Sequence, residues 1–295
     1  GSTVNTTFKN RAWEGRVELP HAALGAVTGT IGAQAARSDF AAVGEEVVTP
    51  PSVTQSGAVF ALEEAKLGDR ATLQFGARYE GQRIALGAVD PALPAVPGYA
   101  ARPGQEKKSG GASGSLGLVF YPAKDWSLGA ALAYSERLPT AQELFSNGPH
   151  GGTGAYEVGT TGLGRERSLG LDVSLRRRSG FVTGSVGAFV NRVHNYIFEQ
   201  ELPSAAIPVT HNPDGLTPFQ FVARDAKLYG AEAELSFHLI DETTRHVHLD
   251  LMADSVRAQQ TTDDEPLPRI PPLRYGAKLS YDDGKWAADL EVRRA

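Results

Sequence analysis

Hydrophobic and polar positions alternate with a period of two along most of this chain. In ATLQFGARY, Ala71, Leu73, Phe75, Ala77 and Tyr79 share one phase, with Thr72, Gln74, Gly76 and Arg78 in the other. In WSLGAALAYS, Trp126, Leu128, Ala130, Leu132 and Tyr134 alternate with Ser, Gly and Ala. RSLGLDVSLRR sets Leu169, Leu171, Val173 and Leu175 against Ser168, Gly170, Asp172 and Ser174. AEAELSFHL and RHVHLDLMA repeat the pattern, with His238, His246, His248 and Asp250 in the polar phase. This periodicity predicts strands that are apolar on one side only. About twelve strands follow, at 6–19, 25–39, 52–66, 70–83, 109–120, 126–137, 164–177, 181–195, 219–238, 245–258, 273–282 and 285–294. Glycine inside most of these segments disfavours helix.

The connections between the strands alternate in length. PHAALG, GD, YPAKD, RSG, IDETT and DG are short, whereas 40–51, 84–108, 138–163, 196–218 and 259–272 are long. One-sided alternation by itself fits a soluble sandwich, whose two apolar faces meet in a core, and equally a transmembrane barrel. Sorted loops fit the barrel, with tight turns at one end and long loops at the other. Tyr79, Tyr121, Trp126, Tyr134, Tyr281 and Trp286 fall near strand ends, as an interfacial girdle requires. The expected fold is all-β: an antiparallel transmembrane β-barrel, or a segment of one.

Composition narrows the function. The 295 residues allow one large β domain or two smaller ones. There is no cysteine, hence no disulfide framework and no thiolate metal site. A formal net charge of -5 disfavours a nucleic-acid partner. No apolar run reaches the length of a transmembrane helix, and the opening GSTVNTTFKN lacks the features of a signal peptide. Nucleophile-elbow, Walker and zinc-protease signatures are absent, so enzymatic activity is not expected.

The stretch RLPTAQELFSNGPHGGTGAYEVG carries a more specific signal. It holds Arg137, Pro139 and Thr140, then Glu143, Leu144 and Phe145, then Asn147, Gly148, Pro149 and His150, then Tyr156, Glu157 and Gly159. With NRVHNYIF (191–198), DAKLYGAEAELSF (225–237) and LPRIPPLRYGAKLSYDDGKWAADLEVRR (267–294), it resembles the barrel of TonB-dependent outer-membrane receptors. The resemblance is strong from about residue 110 onward and rests on pattern alone before it. It runs nearest to receptors of the zinc-uptake type. It implies about twelve strands of a larger barrel of the twenty-two-stranded type, and residues 1–295 as a single barrel segment with neither plug domain nor TonB box. It further implies a Gram-negative outer membrane, lipid around the wall, and coupling to the TonB complex through a plug that lies elsewhere. The transported ligand would be zinc, an iron chelate such as a siderophore, haem or cobalamin, with no resident cofactor. A porin-like or autotransporter-type passive barrel is the alternative, and a soluble β protein the remaining one.

Candidate ligand contacts follow from loop position. His150, with Glu143 and Glu157 nearby, combines the imidazole and carboxylate donors that suit a zinc site. Asn147, His211 and Asp214 complete the loop candidates. The competing reading makes Asn147-Gly148 a turn and His150 a hydrogen-bonding part of a packed loop. His238, His246 and His248 form a second group, expected to face the lumen at its short-turn end with His238 close to His246. They would serve as a metal relay or plug contact, or as plain wall residues.

Overall fold

The computed structural model describes residues 6–44 and 47–295. Twelve long strands form one continuous sheet in strict sequence order: β1 (Thr6–Leu24), β2 (Val27–Gly44), β3 (Ser52–Leu67), β4 (Ala71–Leu86), β5 (Glu106–Phe120), β6 (Trp126–Arg137), β9 (Glu166–Arg177), β10 (Val182–Glu201), β11 (Thr217–Asp241), β12 (His246–Gln260), β13 (Arg274–Asp282) and β14 (Ala287–Arg294). Each pairs antiparallel with its neighbour, and β1 and β14 form the two edges. The expected strand count, order and loop sorting are all present.

Several boundaries differ from the sequence reading. The first turn is only residues 25–26, and most of PHAALG continues β1 into its turn. Pro20 lies inside β1 next to the register slip between His21 and Leu24, an irregular ladder position of the kind that tolerates proline. Residues 196–201 prolong β10, and 217–218 open β11, rather than belonging to a loop. These extensions carry the wall beyond the length needed to cross a bilayer, about 9–11 residues.

Among the described residues nothing packs on the apolar face of the sheet. Leu116, Leu118, Leu128, Leu132, Leu169, Leu171, Val173, Leu175, Val186, Leu251, Leu279 and Leu290 are all exposed. A water-soluble sandwich buries this face, and contiguous apolar surface of this extent marks contact with another apolar phase. Aromatic residues bracket it. Tyr79, Tyr134, Tyr229 and Tyr275 are exposed toward the long-loop end, and Phe181, Tyr281 and Trp286 toward the short-turn end. The Arg177 guanidinium lies 5.3 Å over the Trp126 ring, an arrangement suited to an interface between lipid and water. From Trp126 to Tyr134 is about 27 Å of strand. At a tilt near 40° that rises about 20 Å, most of the about 25 Å apolar band of outer-membrane barrels.

The opposite face is laced with polar contacts. Gln34 donates to Glu14 at 2.5 Å, Arg78 to Gln34 at 3.0 Å and to Glu80 at 2.7 Å, and Gln74 to Glu64 at 3.0 Å. Gly230 leaves room there for its ladder partner Phe189: a Cβ at this position would stand 2.7 Å from the Phe189 ring and 2.4 Å from the Ser255 carbonyl oxygen.

The hydrophobic core sits in neither face. It is built among the long connections at one end. Ile84, Leu86, Leu144, Phe145, Leu163 and Ile197 form one cluster, and Val96, Tyr156, Val158 and Ile207 another. A third, of Ala226, Ala258 and Leu267, lies where β11 and β12 reach the same end.

Candidate functional site

The segment 138–165 is a folded cap with its own secondary structure. A single helical turn, α1 (Ala141–Phe145), is followed by β7 (Asn147–His150) and β8 (Ala155–Val158). Asn147-Gly148 is therefore the start of a strand, and the chain reverses instead across residues 151–154. A turn was expected at Asn-Gly from its usual chemistry. Pairing with β8 overrides it.

Thr140 explains where α1 begins. Its hydroxyl accepts from the Glu143 backbone N–H, while the Glu143 carboxylate accepts from the Thr140 N–H, a reciprocal capping box. The same carboxylate pairs with Arg137 at 2.9 Å, and Arg137 also donates to Glu166 at 2.5 Å. The Arg137 side chain thus fastens the end of β6 to the cap and to the start of β9. Leu144 and Phe145 are fully buried below it. Gly159 passes so close to the helix that a Cβ would lie 2.5 Å from the Leu144 carbonyl carbon.

The cap is tied to three of the other long connections. The Asn147 N–H donates to the Val48 carbonyl at 2.9 Å. The Thr49 and Ser146 hydroxyls share a buried bond of 3.0 Å. The Asn147 side chain donates to the Pro94 carbonyl at 3.3 Å and accepts from the Tyr156 hydroxyl at 3.1 Å. The Gln220 amide donates to the Pro97 carbonyl at 2.6 Å and to the Thr160 hydroxyl at 3.2 Å. β8 also pairs with the start of β11, Thr217–Gln220 against Ala155–Val158, and this pairing is parallel. Burial raises the Tyr99 phenol to about 12 and the Tyr156 phenol to about 12, so both stay protonated as donors.

The loop candidates take different places in this cap. Glu143 is the helix-capping and Arg137-pairing carboxylate. Asn147 is 1% exposed with its amide engaged at both ends. His150 and Glu157 face each other across the β7–β8 hairpin, Nδ1 to Oε1 at 2.7 Å. The Thr153 hydroxyl donates to the same Glu157 oxygen at 2.9 Å. Glu157 is buried, whereas the His150 side chain remains 27% exposed. Among the described residues no hydrogen bond occupies His150 Nε2. His211 reaches the Ala92 carbonyl at 2.6 Å through Nε2, and Asp214 is exposed on the 202–216 connection. Sequence reasoning missed Asn212, which is buried and closes the turn to Leu216 with bonds of 2.7 and 2.9 Å. Its signal was the Asn-Pro-Asp-Gly turn composition of that loop.

NRVHNYIF contains a second local device. The β10–β11 register slips between Val193 and Tyr196, with Asn195 at φ 58°. Asn tolerates this left-handed backbone. Asp225 accepts from the Asn195 N–H at 3.0 Å and pairs with His194 Nδ1 at 2.7 Å.

At the short-turn end, the expected neighbours of His238 change. His238 stands opposite His248, not His246. The ladder slips at Leu239, so that Ile240 pairs with Val247 and Asp241 with His246. Plain alternation from His238 would send Asp241 to the apolar side. The bulge returns it to the histidine side.

Comparison with known proteins agrees with this architecture. The family described as TonB dependent receptor-like, beta-barrel, matches residues 2–294. A solved structure of the copper transporter OprC superposes with a TM-score of 0.80 at 20% identity, covering 98% of this chain and 43% of that one. The Serratia marcescens hemophore receptor HasR, in complex with its hemophore HasA and heme, gives 0.69 at 16% identity, covering 98% and 51%. The ferric yersiniabactin uptake receptor FyuA from Yersinia pestis gives 0.62 at 14% identity, covering 98% and 43%. At these identities the likeness is one of fold, and the chain spans about half the length of those structures or less.

Proposed function

This chain belongs to the TonB-dependent receptor β-barrel family, and from that premise we propose that it forms the wall and ligand-capturing cap of a nutrient-uptake receptor. The receptor stands in the outer membrane of a Gram-negative bacterium, its uncovered apolar face against lipid and its long connections outside. On this reading residues 2–294, which the family matches, supply barrel wall and its connections. A plug domain that meets the TonB complex is the partner through which energy would arrive. The solved structures named above include a copper transporter, a heme-complexed hemophore receptor and a ferric yersiniabactin receptor, which supports our reading of the ligand as a metal or metal chelate such as a siderophore, haem or cobalamin.

Within that class a divalent metal such as zinc is our reading. The observation that carries it is the His150–Glu157 pair. Metal-binding imidazoles characteristically give one ring nitrogen to a carboxylate and offer the other to the metal. Here the buried Glu157 holds Nδ1 at 2.7 Å, and Nε2 of the partly exposed His150 has no hydrogen-bond partner among the described residues. Glu143 and Asn147 serve as the scaffold behind it, and Asp214, exposed on the 202–216 connection, is a further ligand contact, whereas both His211 ring nitrogens are engaged, by Thr210 and by Ala92. Zinc titration of the full-length receptor by calorimetry tests this. His150→Ala should abolish the loop-site binding event, and Glu157→Gln should weaken it about 10- to 100-fold. Unchanged zinc binding in both variants would overturn the metal reading and leave the pair as cap architecture.

A further inference from the structure

We infer that Asp241, His246 and His248 form a divalent transition-metal site at the short-turn end of the polar wall, separate from the loop cap. It lies on one hairpin, β11–β12, and three features of that hairpin build it. His246 and His248 are two residues apart on β12, so both project to the polar face with Asp250. That face is identified by Ser236, which bonds to Asp250 at 2.5 Å. The bulge at Leu239 then brings Asp241 onto the same face, directly opposite His246.

One donor atom from each of the three lies within 4.8 Å of the others. Asp241 Oδ1 and His246 Nδ1 are already 2.9 Å apart. A tetrahedral zinc ion with ligand bonds near 2.1 Å needs its donors about 3.4 Å apart. Small rotations of half-exposed side chains supply that change. His248 is half-buried and has no hydrogen-bond partner among the described residues. Two rings flank it, His246 stacked at 6.1 Å and His238 edge to face at 4.7 Å, and Ser280 stands opposite it on β13. His238 is itself held by a 2.8 Å bond from Nε2 to the Thr183 hydroxyl. An imidazole braced on one side, unpartnered, and beside an acid–imidazole pair is arranged for a ligand more than for the wall. Asp282, the ladder partner of His246 on its far side, adds negative potential, although its Oδ1 is taken by the Gly284 N–H at 2.7 Å.

Three protein donors leave a coordination position open, the pattern of exchangeable metal sites rather than closed structural ones. Two imidazoles and a carboxylate suit Zn(II), Co(II), Ni(II) or Cu(II) over Ca(II) or Mg(II). On the uptake reading, which it uses only for direction of travel, the site receives metal where it leaves the lumen.

The test uses the full-length receptor in detergent, titrated with Co(II) and followed by visible absorption, then with Zn(II) in competition. The wild type should develop a cobalt spectrum that zinc displaces. His248→Gln and Asp241→Asn should weaken that cobalt binding at least about 10- to 100-fold, with folding verified by heat-modifiable gel migration. In a His150→Ala background, where the loop-cap site is removed, the cobalt signal that depends on Asp241 and His248 should persist, so failure of the loop-cap reading and failure of this one are read separately. A wild type with no cobalt spectrum would overturn the proposal. So would a spectrum unchanged in folded His248→Gln and Asp241→Asn.

Discussion

Asn147 illustrates how a residue in a family signature can be structural through and through. Its side chain lies between the Pro94 carbonyl and the Tyr156 hydroxyl, and its backbone amide is taken by Val48. Removing the amide leaves both partners buried without a bond, which costs about 1–3 kcal/mol. Asn147→Ala should therefore loosen the cap by that amount while the wall stays folded. Limited proteolysis confined to residues 138–165, with the barrel's heat-modifiable migration unchanged, is the expected outcome. The sequence made Asn147 and Gly148 legible as special residues. It did not reveal why, because the partners lie far along the chain and no local spacing encodes them. His150 was legible as a donor, but its dependence on Glu157 required knowing that residues 147–150 and 155–158 pair.

At the scale of elements, the β7–β8 hairpin rests on two tyrosines whose phenols burial holds above their ordinary value. Both shift from 10.0 to about 12. A folded-state value raised above the unfolded one contributes stability that is complete below the unfolded value and is lost as pH climbs through the folded one. The cap should accordingly be stable to pH 10 and open progressively between pH 10 and about 12. Tyrosinate absorbance should rise together with proteolytic sensitivity of the cap across that window. Titration of these phenols near 10 with no change in cap protection would contradict the burial argument. The long strands themselves were readable from period-two alternation, which is local. The bulges at Asn195 and Leu239 were not, since each is set by the register of a neighbouring strand. That is why the sequence placed His238 beside His246, and the ladder places it beside His248.

For the molecule as a whole, the division of the wall into two faces makes a sharp contrast between neighbours. Leu171 is exposed on the apolar face and Asp172 follows it on the polar face, in the lining of a cavity of about 410 Å³. Leu171→Arg should destabilise the receptor folded in phospholipid vesicles by about 2–4 kcal/mol, the cost of a cation near the bilayer midplane. Asp172→Asn should change it little. Equilibrium urea unfolding from vesicles measures both, and equal effects would remove the lipid-facing assignment. Loop sorting was the feature of the sequence that anticipated this architecture, because turn length tracks the end of the barrel. The contents of the long connections stayed hidden, because a loop that packs on three other loops has no periodicity to read.

The parallel seam between β8 and the start of β11 carries a consequence for how such receptors diversify. Four residues of one long loop are templated by Thr217–Gln220, at the root of another. The two loops are therefore not interchangeable cassettes. A recombination event or an engineered graft that moves residues 138–165 alone would carry half of a joint and leave the other half behind. Exchange of ligand specificity should proceed in blocks that inherit both sides of the seam, with variation concentrated at exposed positions away from it, in the 151–154 turn and around Asp214.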